Sequence, residues 1–387
     1  MKRSILGAGV CAMLALSLAG CGATDGGKKD TANKKDKNQV NVVATTTQIC
    51  DYVTQIAGSK DADSQLALKK TDASGKVSNL GADPAKAKTT ISLNCLLAPN
   101  ASAHEHDMTT AQSKALSEAD VMLVNGVDLE HFLDGAVKAT GFKGTMGVTS
   151  GVLTSKEVGG KMADAEKTLP YKIDRGVEKV NVRKWPFPPE NGEPAEFEYD
   201  PHVWTSPKNT MVQVKNIGAI LSKASPENKA IFDKHVEKYT KTLADLDKWV
   251  KDSIDTVDPA HRVLFTSHDA FGYFSKDYGI KFIGAALSDF SDQQDATADH
   301  IQKAAADVKK SGAVALFAEN SNNSKSIEAV AKAAGVKAII GDDALYGDSL
   351  GPAGSAGETY IGSITHNVTG LVKAWDGKAA DMPASLK

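Results

Sequence analysis

The sequence lacks several features that mark common classes of protein. Its 45 Lys and Arg nearly balance its 48 Asp and Glu, and the net charge of −3 indicates no basic surface for nucleic acid. No His-Glu-x-x-His helix, nucleophile elbow or phosphate-binding loop occurs in it. The apolar run from Ile5 to Leu16 is too short to span a membrane comfortably. What remains is a globular chain without a recognisable catalytic motif.

The N-terminus carries the marks of a secretory signal. A positively charged start precedes the apolar run, and Leu18-Ala19-Gly20-Cys21 follows it. The latter resembles the bacterial lipobox, which implies cleavage before Cys21 and attachment of lipid to that residue. An ordinary signal peptide with an incidental cysteine is the alternative. Residues 22–40 are almost free of apolar residues and predict a flexible tether. We therefore expect an extracytoplasmic protein, anchored to the cell membrane by lipid.

Cysteine is scarce, with four residues in the chain. Cys11 falls in the signal and Cys21 in the lipobox, which leaves Cys50 and Cys95. In an exported domain a disulfide between these two is the leading expectation. Shared zinc ligation is less favoured, because neither cysteine belongs to a closely spaced Cys motif.

The order of predicted elements indicates an α/β protein. The second half alternates strands with helices, which is typical of parallel sheets with helical crossovers. Apolar residues at spacings of three and four predict one long helix over 226–257, about 45 Å in length. We expect two lobes of parallel sheet flanked by helices, joined by this rigid helix, with a metal site in the cleft between them. The expected divisions are a signal (1–21), a tether (22–40), an N-terminal lobe (41–225) with insertions near 59–90 and 141–200, the linking helix (226–257) and a C-terminal lobe (258–387).

Four side chains lie at loops or helix starts where such sheets bind ligands. Ligands gather beyond the carboxyl ends of parallel strands, and the candidates there are His104 or His106, His202, His268 and Asp348. Three imidazoles and a carboxylate suffice to bind a divalent transition metal. The long gaps between them exclude a zinc-finger type of site and favour a cleft between lobes.

Three motifs carry a family resemblance: Asp200-Pro201-His202-Val203-Trp204, residues 266–273 and residues 346–351. With them the chain resembles the metal-binding lipoproteins of bacterial ABC importers for zinc and manganese, the cluster A-I solute-binding proteins. The resemblance implies capture of a divalent metal and its delivery to an ABC permease in the membrane. It implies His104, His202, His268 and Asp348 as the ligands.

The resemblance leaves two residues with open roles. Counting back from Ala119-Asp120 places the family histidine on His104, while His106 stands where the family usually has an aromatic residue. His106 is either an alternative ligand or a neighbour that orients one, and so is Glu319, which follows a predicted strand. The remaining histidines are expected on the surface or in packing.

Zinc is favoured over manganese as the transported metal. Neutral imidazoles suit zinc, whereas manganese prefers more oxygen, and in the family a carboxylate at the position of His268 accompanies manganese. Against this, residues 141–200 contain no histidine, unlike the histidine-rich loop of many zinc-specific relatives. Since binding needs neutral histidines, affinity is expected to fall as pH drops through roughly 6.5.

Two other classes of function are weighed against metal carriage. A zinc-dependent extracytoplasmic enzyme would keep an open coordination position for water, and four protein ligands leave none. A surface adhesin-like lipoprotein would not explain four convergent positions. We therefore expect a binding protein that is not an enzyme, a monomer without affinity for nucleic acid.

Overall fold

The computed structural model describes residues 38–60, 65–104, 106–160, 164–187, 197–285 and 297–387. The secretory signal, the lipobox with Cys21 and most of the tether lie outside these residues. From Asn38 to Lys387 the chain forms one compact unit. None of the helices in the described part combines the length and apolar character needed to cross a membrane.

A seven-stranded sheet forms the N-terminal lobe, in the order β3-β2-β4-β1-β5-β6-β7. All neighbouring strands are parallel except β2 and β3, which form an antiparallel hairpin. The strands are β1 (Gln39–Ala44), β2 (Leu66–Thr71), β3 (Val77–Gly81), β4 (Thr89–Cys95), β5 (Val121–Val124), β6 (Thr145–Val148) and β7 (Lys172–Asp174). The helices of this lobe are α1 (Thr47–Ala57), α2 (Thr110–Ser117), α3 (Leu133–Thr140) and α4 (Ser155–Val158).

Both stretches expected to be insertions contribute strands to this sheet. Residues 59–90 supply β2, which is paired with β4 along its whole length, and the edge strand β3. Residues 141–200 supply β6 and β7 at the opposite edge. The first half of residues 141–200 therefore belongs to the regular sheet. Strands of four and three residues are too short to show periodicity, and their pairing partners are distant in sequence.

A four-stranded parallel sheet forms the C-terminal lobe, in the order β11-β10-β8-β9. The strands are β8 (Val263–Thr266), β9 (Lys281–Ala285), β10 (Ala315–Phe317) and β11 (Lys337–Ile339). The helices are α7 (Gly272–Tyr278), α8 (Ala298–Ser311), α9 (Lys325–Ala334) and α10 (Tyr360–Ala374). The alternation of strand and helix matches the sequence pattern, and the two-lobed α/β architecture is confirmed.

Two long helices lie between the sheets in sequence, α5 (Pro207–Ala224) and α6 (Lys229–Ile254). A short 3₁₀ turn (Pro226–Asn228) precedes α6, so the regular helix is somewhat shorter than the expected span of 226–257. The buried face of α6 includes Tyr239, Leu243, Leu246 and Val250. These side chains belong to one apolar core with residues of both lobes, so α6 is packed against both halves.

Cys50 on α1 and Cys95 at the end of β4 form a disulfide. Thr46 caps α1, its hydroxyl accepting a hydrogen bond from the backbone N of Ile49. The first turn of α1 therefore lies at the carboxyl end of β1, and the bridge ties it to the strand that leads towards His104.

Candidate metal centre

Each of the four predicted ligands lies next to a regular element of the fold. His104 follows β4, and His202 precedes a 3₁₀ turn (Val203–Thr205) that leads into α5. His268 comes directly after β8, and Asp348 follows β11 and a short 3₁₀ turn. Two of the side chains come from each lobe.

The structure brings the four side chains together within 4.8 Å of one another. The Nε2 atom of His202 lies 3.1 Å from that of His104 and 3.2 Å from that of His268. Oxygens of Asp348 lie 3.3 Å from His104 Nε2, 3.5 Å from His268 Nε2 and 3.7 Å from His202 Nε2. Four ligands at zinc bond lengths in a tetrahedron are about 3.3 Å apart. These five separations are close to that edge, with Asp348 turning Oδ2 towards His104 and Oδ1 towards His202 and His268, and the four donors form a cage that could surround one ion.

The chemistry of these donors fits a cation. All four residues are buried, and Asp348 Oδ1 makes no hydrogen bond to the described residues, its contacts being 3.5 Å to His268 Nε2 and 3.7 Å to His202 Nε2. A buried carboxylate oxygen with only such long contacts is poorly satisfied. A divalent ion at the centre of the cage would satisfy it and would separate three imidazole nitrogens that otherwise face one another.

The three histidines differ in the direction in which the site shifts their pKa. Burial lowers the pKa of His104 to about 4 and that of His202 to about 3, so both rings are neutral near pH 7. Burial would also lower the pKa of His268, but the carboxylates of Asp348 and Asp269 raise it well above its usual value. Burial would raise the pKa of Asp348, but His268 and His104 hold it well below its usual value. Before metal arrives, His268 and Asp348 therefore form an ion pair.

Neighbouring carboxylates orient two of the imidazoles. Asp200 Oδ1 lies 2.8 Å from His202 Nδ1 and also accepts from the backbone N of His202. Asp269 Oδ1 lies 3.2 Å from His268 Nδ1. A proton shared with the carboxylate at Nδ1 leaves Nε2 to face the centre of the cage. The sequence motifs contain both aspartates; the role of Asp200 was missed, although its place two residues before a candidate ligand was a signal.

Residues of the N-terminal lobe also position the loop that carries Asp348. Gln48 Nε2 donates to the carbonyl oxygen of Asp348 at 3.1 Å. Trp204 Nε1 donates to the carbonyl oxygen of Gly347 at 3.0 Å, and the backbone N of Leu350 donates to Thr47 Oγ1 at 2.8 Å. No local pattern marks Gln48 or Thr47, because their partners lie about three hundred residues away.

The two residues with open roles lie outside the cage. His106 Nε2 lies 3.1 Å from Gln112 Oε1, and its ring packs on Phe132. Glu319 is buried, and its Oε1 accepts from the backbone N of His268 at 3.0 Å. Burial raises the pKa of Glu319 to about 8. Among the other histidines, His235 and His366 bond to backbone carbonyl oxygens, which fits a packing role.

A family model described as "Zinc-uptake complex component A periplasmic" (ZnuA) matches residues 82–374. The manganese-binding lipoprotein MntA of Bacillus subtilis (strain 168) is 29% identical over 378 residues, which is 97% of this chain and 99% of the relative. The zinc-binding protein TroA of Treponema pallidum (strain Nichols) is 30% identical over 288 residues, which is 73% of this chain and 82% of the relative.

Solved structures agree with the fold. The periplasmic zinc binding protein TroA from Treponema pallidum is similar with a TM-score of 0.60 and 25% identity, covering 88% of this chain and 99% of that one. A manganese-bound periplasmic metal binding protein from Candidatus Liberibacter asiaticus is similar with a TM-score of 0.60, at 19% identity. The second likeness concerns the fold alone.

Proposed function

Because this chain belongs to the family of zinc-uptake complex component A, we propose that it captures zinc outside the cytoplasm and delivers it to an ABC permease. Membership makes it a metal-binding substrate-binding protein of an ABC importer rather than an enzyme. The transported ion is its substrate, and the permease is the partner that receives the ion.

The convergence of four buried donors from two lobes carries the proposal. His104, His202, His268 and Asp348 offer three imidazole nitrogens and a carboxylate at the spacing of a tetrahedral shell. Four protein ligands leave no coordination position for water, which a catalytic zinc keeps. The site is therefore suited to holding an ion in transit.

The donor set supports zinc over manganese. Imidazole nitrogen suits zinc, whereas manganese prefers a larger shell that is rich in oxygen. The distances from His202 Nε2 to the Nε2 atoms of His104 and His268 match the edge of a small tetrahedral shell. Relatives are named for either metal, so the preference is inferred from the donor residues of this chain. The geometry of these donors favours zinc.

The anchoring and oligomeric state belong to the same proposal. Leu18-Ala19-Gly20-Cys21 would place a lipid on Cys21, and residues 22–40 would hold the compact unit away from the membrane surface. The site draws its ligands from one chain, so a monomer suffices for binding.

The metal preference is tested by competitive titration of zinc and manganese on the purified protein. We expect one equivalent of either metal and a zinc affinity higher by on the order of 100-fold, the direction that the intrinsic affinity order of divalent ions also favours. A stoichiometry near zero would refute metal carriage. Equal or tighter binding of manganese would refute the zinc assignment alone.

Metal binding is expected to release about one proton near pH 7. His268 carries that proton, because its pKa in the metal-free protein is raised, while His104 and His202 are already neutral. Below the raised pKa of His268, the apparent affinity should fall about tenfold per pH unit. The loss thus begins at a higher pH than the unshifted histidine value of roughly 6.5 suggests.

Calorimetry in buffers of different ionisation enthalpy measures this release. The observed binding enthalpy should vary linearly with the buffer's ionisation enthalpy, with a slope of about one proton. An enthalpy that is independent of the buffer would contradict the ion pair between His268 and Asp348.

A further inference from the structure

Glu319 holds the loop that carries His268 through two reciprocal hydrogen bonds. The residue follows β10, whose neighbour in the sheet is β8. Its backbone N donates to Ser267 Oγ at 2.8 Å, and its Oε1 accepts from the backbone N of His268 at 3.0 Å. Both bonds end on residues directly after β8, so Glu319 fixes where the His268 backbone leaves the sheet.

The same side chain packs against the backbone next to Asp348. A Cβ atom at Gly347 would lie 2.0 Å from Glu319 Oε2, so only glycine leaves space for the carboxyl group there. The adjacent Asn320 accepts from the backbone N of Gly347 through Oδ1 at 3.2 Å. Glu319 also forms a parallel bridge with Leu345. The carboxyl group therefore lies between the loops of two ligands.

Burying the Glu319 carboxyl group lowers the stability of the fold, and filling the space does not require a carboxyl group. Glu319 is 1% exposed, and Oε2 has no hydrogen-bond partner among the described residues. Leaving a buried polar atom unpaired costs about 1–3 kcal/mol relative to a satisfied one. An apolar side chain of similar size would fill the space without that cost, but it could not hold the backbone N of His268.

We propose that Glu319 is a positioning residue that sets the spacing between His268 and Asp348 and thereby the preference for zinc over manganese. The inference rests on the proposed function of the same site. His268 Nε2 and Asp348 Oδ1 lie 3.5 Å apart, close to the edge of about 3.3 Å in a tetrahedral zinc shell. Without the carboxyl group the two loops can move relative to each other. Zinc then loses its close shell of four ligands, whereas the wider site admits the additional ligands that manganese favours.

The test compares Glu319→Ala with Glu319→Gln by competitive titration of zinc and manganese. Glu319→Ala should lower the ratio of zinc to manganese affinity by about tenfold, at the lower end of losses seen when groups that orient metal ligands are removed. Glu319→Gln keeps an oxygen that accepts from His268 N and should restore the ratio to within about threefold of the wild type. The visible spectrum of bound Co²⁺ should show weaker, non-tetrahedral bands in Glu319→Ala and wild-type bands in Glu319→Gln.

Glu157→Ala is the matched control. Glu157 also accepts from a backbone N, that of Leu153, and it pairs with Arg175, which directly follows the edge strand β7. The Glu157→Ala variant should be less stable than the wild type, with an unchanged ratio of zinc to manganese affinity and an unchanged Co²⁺ spectrum. An unchanged ratio in Glu319→Ala, or a Gln variant as altered as the Ala variant, would overturn the inference while the wild type still binds metal. A wild type that binds no metal would instead overturn the proposed function.

Discussion

Replacing His202 with alanine is expected to raise the Kd for zinc by at least about 100-fold. Losing a residue that merely orients a ligand costs 10–100-fold in metal affinity, and His202 Nε2 is central to the cage, within 3.7 Å of donors from the other three residues. Asp348→Ala should lose as much, since it removes the only carboxylate of the set. Competition with a chromophoric chelator measures both losses.

His106→Ala is the control for this prediction. His106 is two residues from His104, but its ring lies against Phe132 and its Nε2 faces Gln112. We expect its zinc affinity to stay within about threefold of the wild type, well below the effect of losing a group that orients a ligand. A large loss of zinc affinity in His106→Ala, together with unchanged affinity in His104→Ala, would show that His106 is the ligand and His104 is not. Unchanged affinity in both His202→Ala and Asp348→Ala would contradict the site assignment.

The second large effect concerns stability. Replacing Cys50 and Cys95 by serine should lower the free energy of unfolding by about 4 kcal/mol, since the bridge closes a loop with a sequence separation of 45. The cost arises mainly from the greater conformational freedom of the unfolded chain. Guanidinium unfolding of the metal-free protein, followed by circular dichroism, measures it.

The wild type unfolded in the presence of a reductant is the control for this pair of substitutions. It should lose a similar amount, because reduction removes the same constraint while leaving both side chains in place. A loss below about 1 kcal/mol in both cases would contradict a stabilising role, since native disulfides in exported domains typically contribute 2–5 kcal/mol.

The sequence predicts much of the fold because its long elements carry local signals. The face of α6 repeats every three or four residues, and β8 to α10 alternate in the order expected of parallel crossovers. The strands β6 and β7 escaped prediction for the opposite reason. They contain four and three residues, and their stability comes from neighbours in the sheet rather than from their own pattern.

The residues of the site also fall into two groups, those that a local motif reveals and those that only the folded chain brings into contact. His202, His268 and Asp348 stand in motifs that can be read locally, and the structure brings them together with His104. The groups that hold them cannot be read locally. Gln48 reaches the Asp348 loop across three hundred positions, and Glu319 reaches His268 across fifty-one. The first contact exists only once the two lobes pack together, and the second only once β8 and β10 have paired.

X-ray absorption spectroscopy of the zinc-loaded protein tests the central claim most directly, because it counts the ligands around the ion. We predict three imidazole nitrogens and one carboxylate oxygen at about 2.0–2.1 Å, supplied by His104, His202, His268 and Asp348. A sulfur ligand, or a shell with fewer than three imidazoles, would contradict the proposed ligand set.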